Sequence, residues 1–225
     1  MTELARLLAP LNVALFTLGS DQVSVAELLG FVTGAASVWL TVAARISNFP
    51  VGIANSAFFL VLFLSARLYA DSGLQVVYIV LGFAGWRQWR HGGQDRTGLR
   101  VARTGWRLLA GCVLFAIAAT WGLTILLTAA YDIAPFWDAL TTALALAAQL
   151  LLNLKRIENW AFWIAADLIY IPLYVVKRLD LTAIVYVLFL VLCLAGVRAW
   201  RRALPPGGKG RAEAAPAVVT GGSAS

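Results

Sequence analysis

Apolar positions in this chain run in long blocks, without the polar faces that interrupt the core elements of a soluble domain. Seven blocks approach the roughly 20 residues that a helix needs to cross a hydrocarbon layer. They fall at residues 26–45, 49–69, 73–91, 106–128, 136–154, 159–177 and 181–200. This pattern predicts seven transmembrane helices. Between the third and fourth lies the most polar stretch, His91 to Arg103, where Gly92, Gly93 and Gly98 act as helix breakers. Leu4 to Leu18 is apolar but short and is interrupted by Pro10. Acidic Glu3 precedes Arg6, which does not suit the basic start of a signal peptide. The expectation there is an interfacial helix lying on the membrane, with a removed signal peptide as the alternative. The reading therefore divides the chain into an N-terminal interfacial helix (1–22), a three-helix unit (23–91) and a basic loop (92–105). A connecting helix (106–130), a second three-helix unit (131–202) and a disordered tail (203–225) complete it.

Composition supports lipid as the main solvent. Of the 225 residues 61% are hydrophobic and 13% charged, with mean hydropathy +0.81. Soluble domains carry about 25% charged residues, so a soluble globular protein is excluded. The net charge of +7 lies in the gaps between apolar blocks, where topology places basic residues; no nucleic-acid partner is expected. Seven spans put Arg6, Arg67, Lys177 and Arg178 on one side. The other side then holds Arg45, Arg87, Arg90, Arg96, Arg100, Arg103, Arg107, Lys155, Arg156, Arg198, Arg201, Arg202, Lys209 and Arg211. The positive-inside rule thus predicts an outside N-terminus and a cytoplasmic C-terminus. Cys112 and Cys193 read as small packing residues within apolar runs. No Cys/His cluster points to a metal, and no cofactor is expected.

A second pattern lies beneath the first. Shifted by 111 residues, the sequence matches itself without gaps. Arg45-Ile46-x-Asn48-Phe49 falls on Arg156-Ile157-x-Asn159-Trp160, and Arg67-Leu68 falls on Arg178-Leu179. Gly85-x-Arg87-x-Trp89-Arg90 falls on Gly196-x-Arg198-x-Trp200-Arg201, and Glu27 on Asp138. An ancient duplication is the reading. Three crossings end the first unit on the side opposite its start, and the connecting helix returns the chain. The expected fold is all-α and integral to the membrane: seven helices in a 3+1+3 arrangement. Its two parallel three-helix repeats are related by a pseudo-twofold along the membrane normal, a plan shared with sugar transporters of the SWEET type. By that analogy, substrate binds near the midplane between the units.

Polar groups inside the hydrocarbon are the candidate site. Asp167 lies midway along the sixth span, and helical spacing puts Trp160, Trp163, Asp167, Tyr170 and Tyr174 on one stripe. Such a stripe offers aromatic faces to a flat or cationic ring, with an anion at its centre. A blander reading remains open, in which the aromatics form interfacial belts and Asp167 bonds a neighbouring helix. Asn55, Gln75, Tyr78, Gln149 and Asn153 can supply amide or hydroxyl contacts to a nucleoside-like ligand, or equally hold helices together. Gln88, Trp86 and Trp89 look structural. Under the shift, Asp167 falls on Ser56 and Asn55 on Ala166, an asymmetry that suits a ligand with two different ends. Walker A, GxSxG and HExxH strings are absent from the sequence. With no paired catalytic groups at one depth, it does not read as an enzyme.

Several strings together resemble the PnuC family of vitamin transporters. They are Trp39-Leu40-Thr41-Val42, Asn48-Phe49-Pro50-Val51-Gly52, Leu68-Tyr69-Ala70-Asp71-Ser72-Gly73-Leu74-Gln75 and Gly85-Trp86-x-x-Trp89. With them go Trp137-Asp138 and Lys155-x-x-Glu158-Asn159-Trp160-x-x-Trp163-x-x-x-Asp167. The resemblance covers about residues 15–202; Phe49 stands where members often carry Trp. It implies a multi-pass protein of the bacterial inner membrane that takes up nicotinamide riboside by facilitated diffusion. It further implies trapping by a cytosolic kinase that need not touch the transporter, service to NAD biosynthesis, and a homotrimer. Asn159, Trp160 and Trp163 are implied in substrate recognition or gating. Relatives carry thiamine or riboflavin on the same scaffold. Another vitamin or a sugar is therefore the alternative cargo, and a non-transporting membrane protein the third reading.

Overall fold

The computed structural model describes residues 14–18, 21–65, 69–92, 98–130, 134–176, 178 and 180–205. Seven helices dominate them. We label these α1 (Val25–Val42), α2 (Asn48–Ser65), α3 (Tyr69–His91), α4 (Trp106–Ala129), α5 (Pro135–Asn153), α6 (Asn159–Val176) and α7 (Asp180–Arg202). Five of them, α1 and α4 to α7, are long and apolar enough to cross a membrane. The apolar run of α2 is slightly shorter, Asn48–Leu64. The 23-residue α3 is apolar in its middle but carries Asp71 near one end and Arg87, Arg90 and His91 near the other. Large apolar side chains such as Val32, Val80, Leu114, Ile125 and Ile184 lie exposed on the outside, which suits a lipid-facing surface.

The N-terminal reading needs correction where the structure describes it. Ala14–Leu18 (β1) and Asp21–Ser24 (β2) pair as an antiparallel hairpin, not a helix. Helical reasoning weighed apolar density and passed over the Gly19-Ser20 turn signal between two short runs containing Thr17 and Val23. Residues 1–13 of the expected interfacial helix, the 93–97 part of the basic loop and the 206–225 part of the tail lie outside the described residues. The hairpin leads directly into α1. Ser24 caps it: Glu27 N–H donates to Ser24 Oγ at 3.2 Å, and Ser24 N–H to Glu27 Oε2 at 2.9 Å.

Helix contacts close a ring: α1 packs on α2, α2 on α3, α3 on α5, α5 on α6, α6 on α7 and α7 on α1. Helix α4 packs on α5, outside the ring. The bounds of α2 and α3, moved by 111, coincide with those of α6 and α7. The turns leading into α2 and α6 share a bond pattern at the same shift. Ala44 N–H donates to Thr41 O (2.9 Å) and Lys155 N–H to Leu152 O (2.8 Å). Arg45 N–H donates to Leu40 O and Arg156 N–H to Leu151 O, both at 2.9 Å. Ala44 and Lys155 both adopt left-handed backbone, with φ of 50° and 54°, a conformation uncommon for side chains branching at Cβ or larger than Gly.

These turns and the ends of α3 and α7 meet at one arginine-rich end, where an aromatic plug forms. Phe49 and Trp89 meet edge to face (centroids 5.1 Å, 87°), as do Trp160 and Trp200 (5.5 Å, 85°). Trp89 and Trp200 stand 6.1 Å apart between the pairs. Gly85 and Gly196 make room: a Cβ at Gly85 would strike Phe49, and one at Gly196 would strike Trp160. Two of the indoles also find acceptors on a neighbouring helix. Trp89 Nε1 donates to Leu152 O and Trp200 Nε1 to Thr41 O, both at 3.0 Å. Residues 98–104 strap the turn between α5 and α6. Ala102 N–H donates to Lys155 O (3.2 Å), and Ile157 N–H to Ala102 O (3.0 Å). Glu158 Oε2 accepts from Thr104 N–H (2.7 Å) and Oγ1 (2.6 Å). Lys155 Nζ lies 4.2 Å from the Trp89 ring centre and donates to Leu99 O (3.0 Å). Burial lowers its pKa below the usual lysine value.

Candidate functional site

All six ring helices face a cavity of about 360 Å³, and α4 contributes nothing to its wall. That volume falls within the range of small-molecule sites, roughly 300–1,000 Å³. Small residues on α1 and α2, including Gly30, Gly34, Ser37 and Gly52, leave the space; bulky aromatics from α6 and α7 border it. Among the described residues, Asp167 is the only acidic or basic side chain in the wall. It is 3% exposed, and Cys193 Sγ donates to its Oδ2 at 3.5 Å. A thiol is a weak donor, so this carboxylate is poorly compensated for its burial and would gain from a cationic ligand.

The aromatic frame continues one turn beyond Asp167. Tyr170 stacks on Tyr174 (5.5 Å) and lies 4.5 Å from Tyr186, which itself stacks on Tyr174 at 5.2 Å. At the arginine-rich end the cavity stops against Phe49, Leu152 and Trp160. Two donors there have no protein partner: Asn48 Nδ2 and Trp160 Nε1, on side chains 3% and 1% exposed. Both residues line the cavity, but the two nitrogens themselves are covered, so a ligand oxygen reaches them only if neighbouring side chains shift. The cavity thus has an anionic, aromatic middle and an uncharged end.

Of the residues singled out from sequence, Asn55, Tyr78, Gln149, Trp160, Trp163, Asp167 and Tyr170 line this cavity. Gln75, Asn153, Asn159 and Tyr174 do not. Asn153 ties helices together, donating from Nδ2 to Leu81 O (2.8 Å) and accepting from Gln149 Nε2 (3.0 Å). Asn159 is fully buried, and its Nδ2 donates to Arg156 O. Asn55 Nδ2 is already bonded to Thr33 Oγ1 (2.6 Å) and Gly30 O (3.0 Å), which leaves its carbonyl as the group to offer. The sequence reading passed over Asn48, Ser56, Tyr186, Phe189 and Cys193. Signals existed for two sets. Asn48 is the counterpart of Asn159 at the 111 shift, and Tyr186, Phe189 and Cys193 share one helical stripe.

Comparison with known proteins gives the site a context. Residues 24–202 match a family described as nicotinamide mononucleotide transporter. The nicotinamide riboside transporter PnuC of Escherichia coli (strain K12) is 26% identical over 210 residues, which cover 81% of this chain and 87% of the relative. The riboflavin/roseoflavin transporter RibM of Streptomyces davaonensis is 24% identical over 198 residues, covering 84% and 91%. Among solved structures, the crystal structure of the vitamin B3 transporter PnuC shares the fold, with a TM-score of 0.63 and 23% identity. That match covers 79% of this chain and 80% of the other.

Proposed function

Because the chain belongs to the nicotinamide mononucleotide transporter family, whose members are transporters and not enzymes, we propose that it carries nicotinamide riboside across the bacterial inner membrane. The observation that carries this reading is Asp167, among the described residues the one carboxylate or cation in the wall of an aromatic cavity. Nicotinamide riboside is a pyridinium cation with an uncharged sugar. Its ring suits the Asp167, Trp163 and Tyr170 region, and its hydroxyls can accept from Asn48 Nδ2 and Trp160 Nε1 once the side chains covering them shift. The corresponding mononucleotide adds a phosphate, which would meet no Lys or Arg among the described residues of the wall and would be repelled by Asp167. The geometry therefore favours the nucleoside over its phosphate.

The helices work as a 3+1+3 assembly in this proposal, with α1–α3 and α5–α7 as parallel repeats and α4 as the connector. Support comes from the coincidence of helix bounds, turns and plug contacts at the 111 shift. The arginine-rich end faces the cytoplasm, because every described basic residue except Arg178 lies towards it. Transport is facilitated diffusion by rocking of the two units. It becomes one-way once a cytosolic kinase phosphorylates the vitamin, in service of NAD biosynthesis. The chain works as a homotrimer.

A second reading, riboflavin, is favoured by the similarity to RibM. Its isoalloxazine ring is larger and uncharged, which leaves Asp167 without a cation. Uptake by proteoliposomes separates the readings. We expect saturable nicotinamide riboside uptake that is unchanged by a proton gradient, with little competition from the mononucleotide or riboflavin. Preference for riboflavin would decide for the second reading, and gradient-driven accumulation would overturn facilitated diffusion.

A further inference from the structure

The plug at the arginine-rich end spans two seams where the three-helix units meet: α3 against α5, and α7 against α1. Each seam has the same core bond. Trp89 Nε1 donates to Leu152 O across the first, and Trp200 Nε1 donates to Thr41 O across the second. These pairs are counterparts at the 111 shift, so the two seams form a matched comparison within one molecule. Both border the cavity.

Among the described residues, the further polar contacts that link the two units at this end fall beside the α3/α5 seam. Lys155 Nζ sits over the Trp89 ring and bonds Leu99 O. Asn153 Nδ2 bonds Leu81 O. The 98–104 strap, which continues from α3, is pinned to the α5–α6 turn by Ala102, Ile157, Thr104 and Glu158. Arg156 adds a bond from Nη1 to Arg103 O at 2.9 Å. The counterparts at the other seam lack the chemistry: Ala44 stands for Lys155, Val42 for Asn153 and Ser47 for Glu158. Among the described residues, the indole bond of Trp200 is the one polar contact between α1 and α7 at this end. At the opposite end β2 touches both α1 and α7 and holds that seam there.

We infer that the arginine-rich end opens asymmetrically, with the α3/α5 seam as a fixed hinge and the α1/α7 seam as the ligand gate latched by Trp200. Separating α1 from α7 at this end breaks one indole bond and parts apolar surfaces. Separating α3 from α5 breaks the indole hydrogen bond, a cation–π contact, the Asn153–Leu81 hydrogen bond and the bond from Leu99 N–H of the strap to Trp89 O. The difference selects the seam that moves, and β2 supplies the pivot at its far end. This inference rests on the transporter reading, but it does not depend on which vitamin is carried.

Cys193 lines the cavity and serves as a reporter. The test uses the full chain carrying Cys112→Ala, reconstituted in nanodiscs, with a charged, water-soluble methanethiosulfonate as probe. Trp200→Phe and Trp89→Phe each remove one N–H and keep an aromatic ring. Trp200→Phe should raise the labelling rate of Cys193 roughly fivefold, the equivalent of one net hydrogen bond; Trp89→Phe should change it less than about twofold. Equal increases, or a larger one for Trp89→Phe, would overturn the inference. A graft provides the converse test should either indole variant fold poorly. Ala44→Lys places an amine on a backbone with the same left-handed φ as Lys155, where it can reach the Trp200 ring. Slower labelling and slower vesicle uptake at unchanged ligand affinity are expected, and unaltered rates would count against the gate. Protection of Cys193 by nicotinamide riboside, measured in parallel, reports on the ligand separately. A wrong vitamin and a wrong gate therefore give different results.

Discussion

Asp167 and Gly196 show how much single positions decide. Asp167→Asn keeps the shape of the side chain and removes its charge. Affinity for nicotinamide riboside should fall roughly tenfold to a hundredfold, as expected for losing a buried charged partner; tryptophan fluorescence quenching measures it. Thermal stability should hold or rise, since an under-compensated buried charge has gone. Unchanged affinity would remove Asp167 from the site and leave the family assignment standing. At Gly196 a methyl group would overlap the Trp160 ring. Gly196→Ala should destabilise by about 1–3 kcal/mol through overpacking, read as a lowered midpoint in detergent. Gly122 offers the contrast, since nothing lies within 4 Å of its would-be Cβ. Gly122→Ala should be neutral or stabilising by up to about 1 kcal/mol from helix propensity.

Elements differ in what surrounds them. The strap joins the start of α4 to that of α6 through a carboxylate that accepts two bonds from Thr104. Glu158→Gln weakens these charge-assisted bonds and should cost about 1–2 kcal/mol, again visible in the unfolding midpoint. Helix α4 packs on one neighbour and exposes Leu114, Trp121, Ile125 and Leu126. An apolar exchange such as Leu114→Ile should be tolerated there. Leu114→Arg should cost about 2.5–3.5 kcal/mol at mid-helix, and the amount inserted in membranes should drop. Helix α3 illustrates the limits of hydropathy: its polar ends lower its mean hydropathy, while packing on α2 and α5 places it in the bundle.

On the scale of the whole molecule, charge does two separate jobs. Among the described residues the cavity wall carries a lone carboxylate, so nicotinamide mononucleotide should compete with nicotinamide riboside about a hundredfold less well; a competition series in vesicles measures this. Comparable competition would place the phosphate somewhere the wall does not provide for. Basic residues gather instead at the ends of α1, α3, α5 and α7, which should face the cytoplasm. A reporter fused after residue 225 should therefore be active only in its cytoplasmic form, and periplasmic activity would reverse the orientation.

Sequence by itself determined the helices, because burying a backbone in lipid demands about 20 apolar residues per crossing and leaves a block that is hard to miss. It also carried the 111-residue shift, since Gly85/Gly196 and Trp89/Trp200 are matched by identity and not by hydropathy alone. The stripe holding Trp160, Trp163, Asp167 and Tyr170 was legible for the same reason: helical spacing fixes which side chains share a face. Tertiary structure decided which of those faces meet. Gln149 and Asn153 are neighbours on α5, yet one lines the cavity and the other is consumed in a bond to α3. Cys193 reads as packing until α7 is set beside α6, where its thiol meets Asp167. The β1–β2 hairpin likewise escaped a reading tuned to helices, because short strands leave a weaker pattern than a membrane span. Periodicity is a local property of the chain, whereas a site is made where distant elements converge, and that convergence is set by packing.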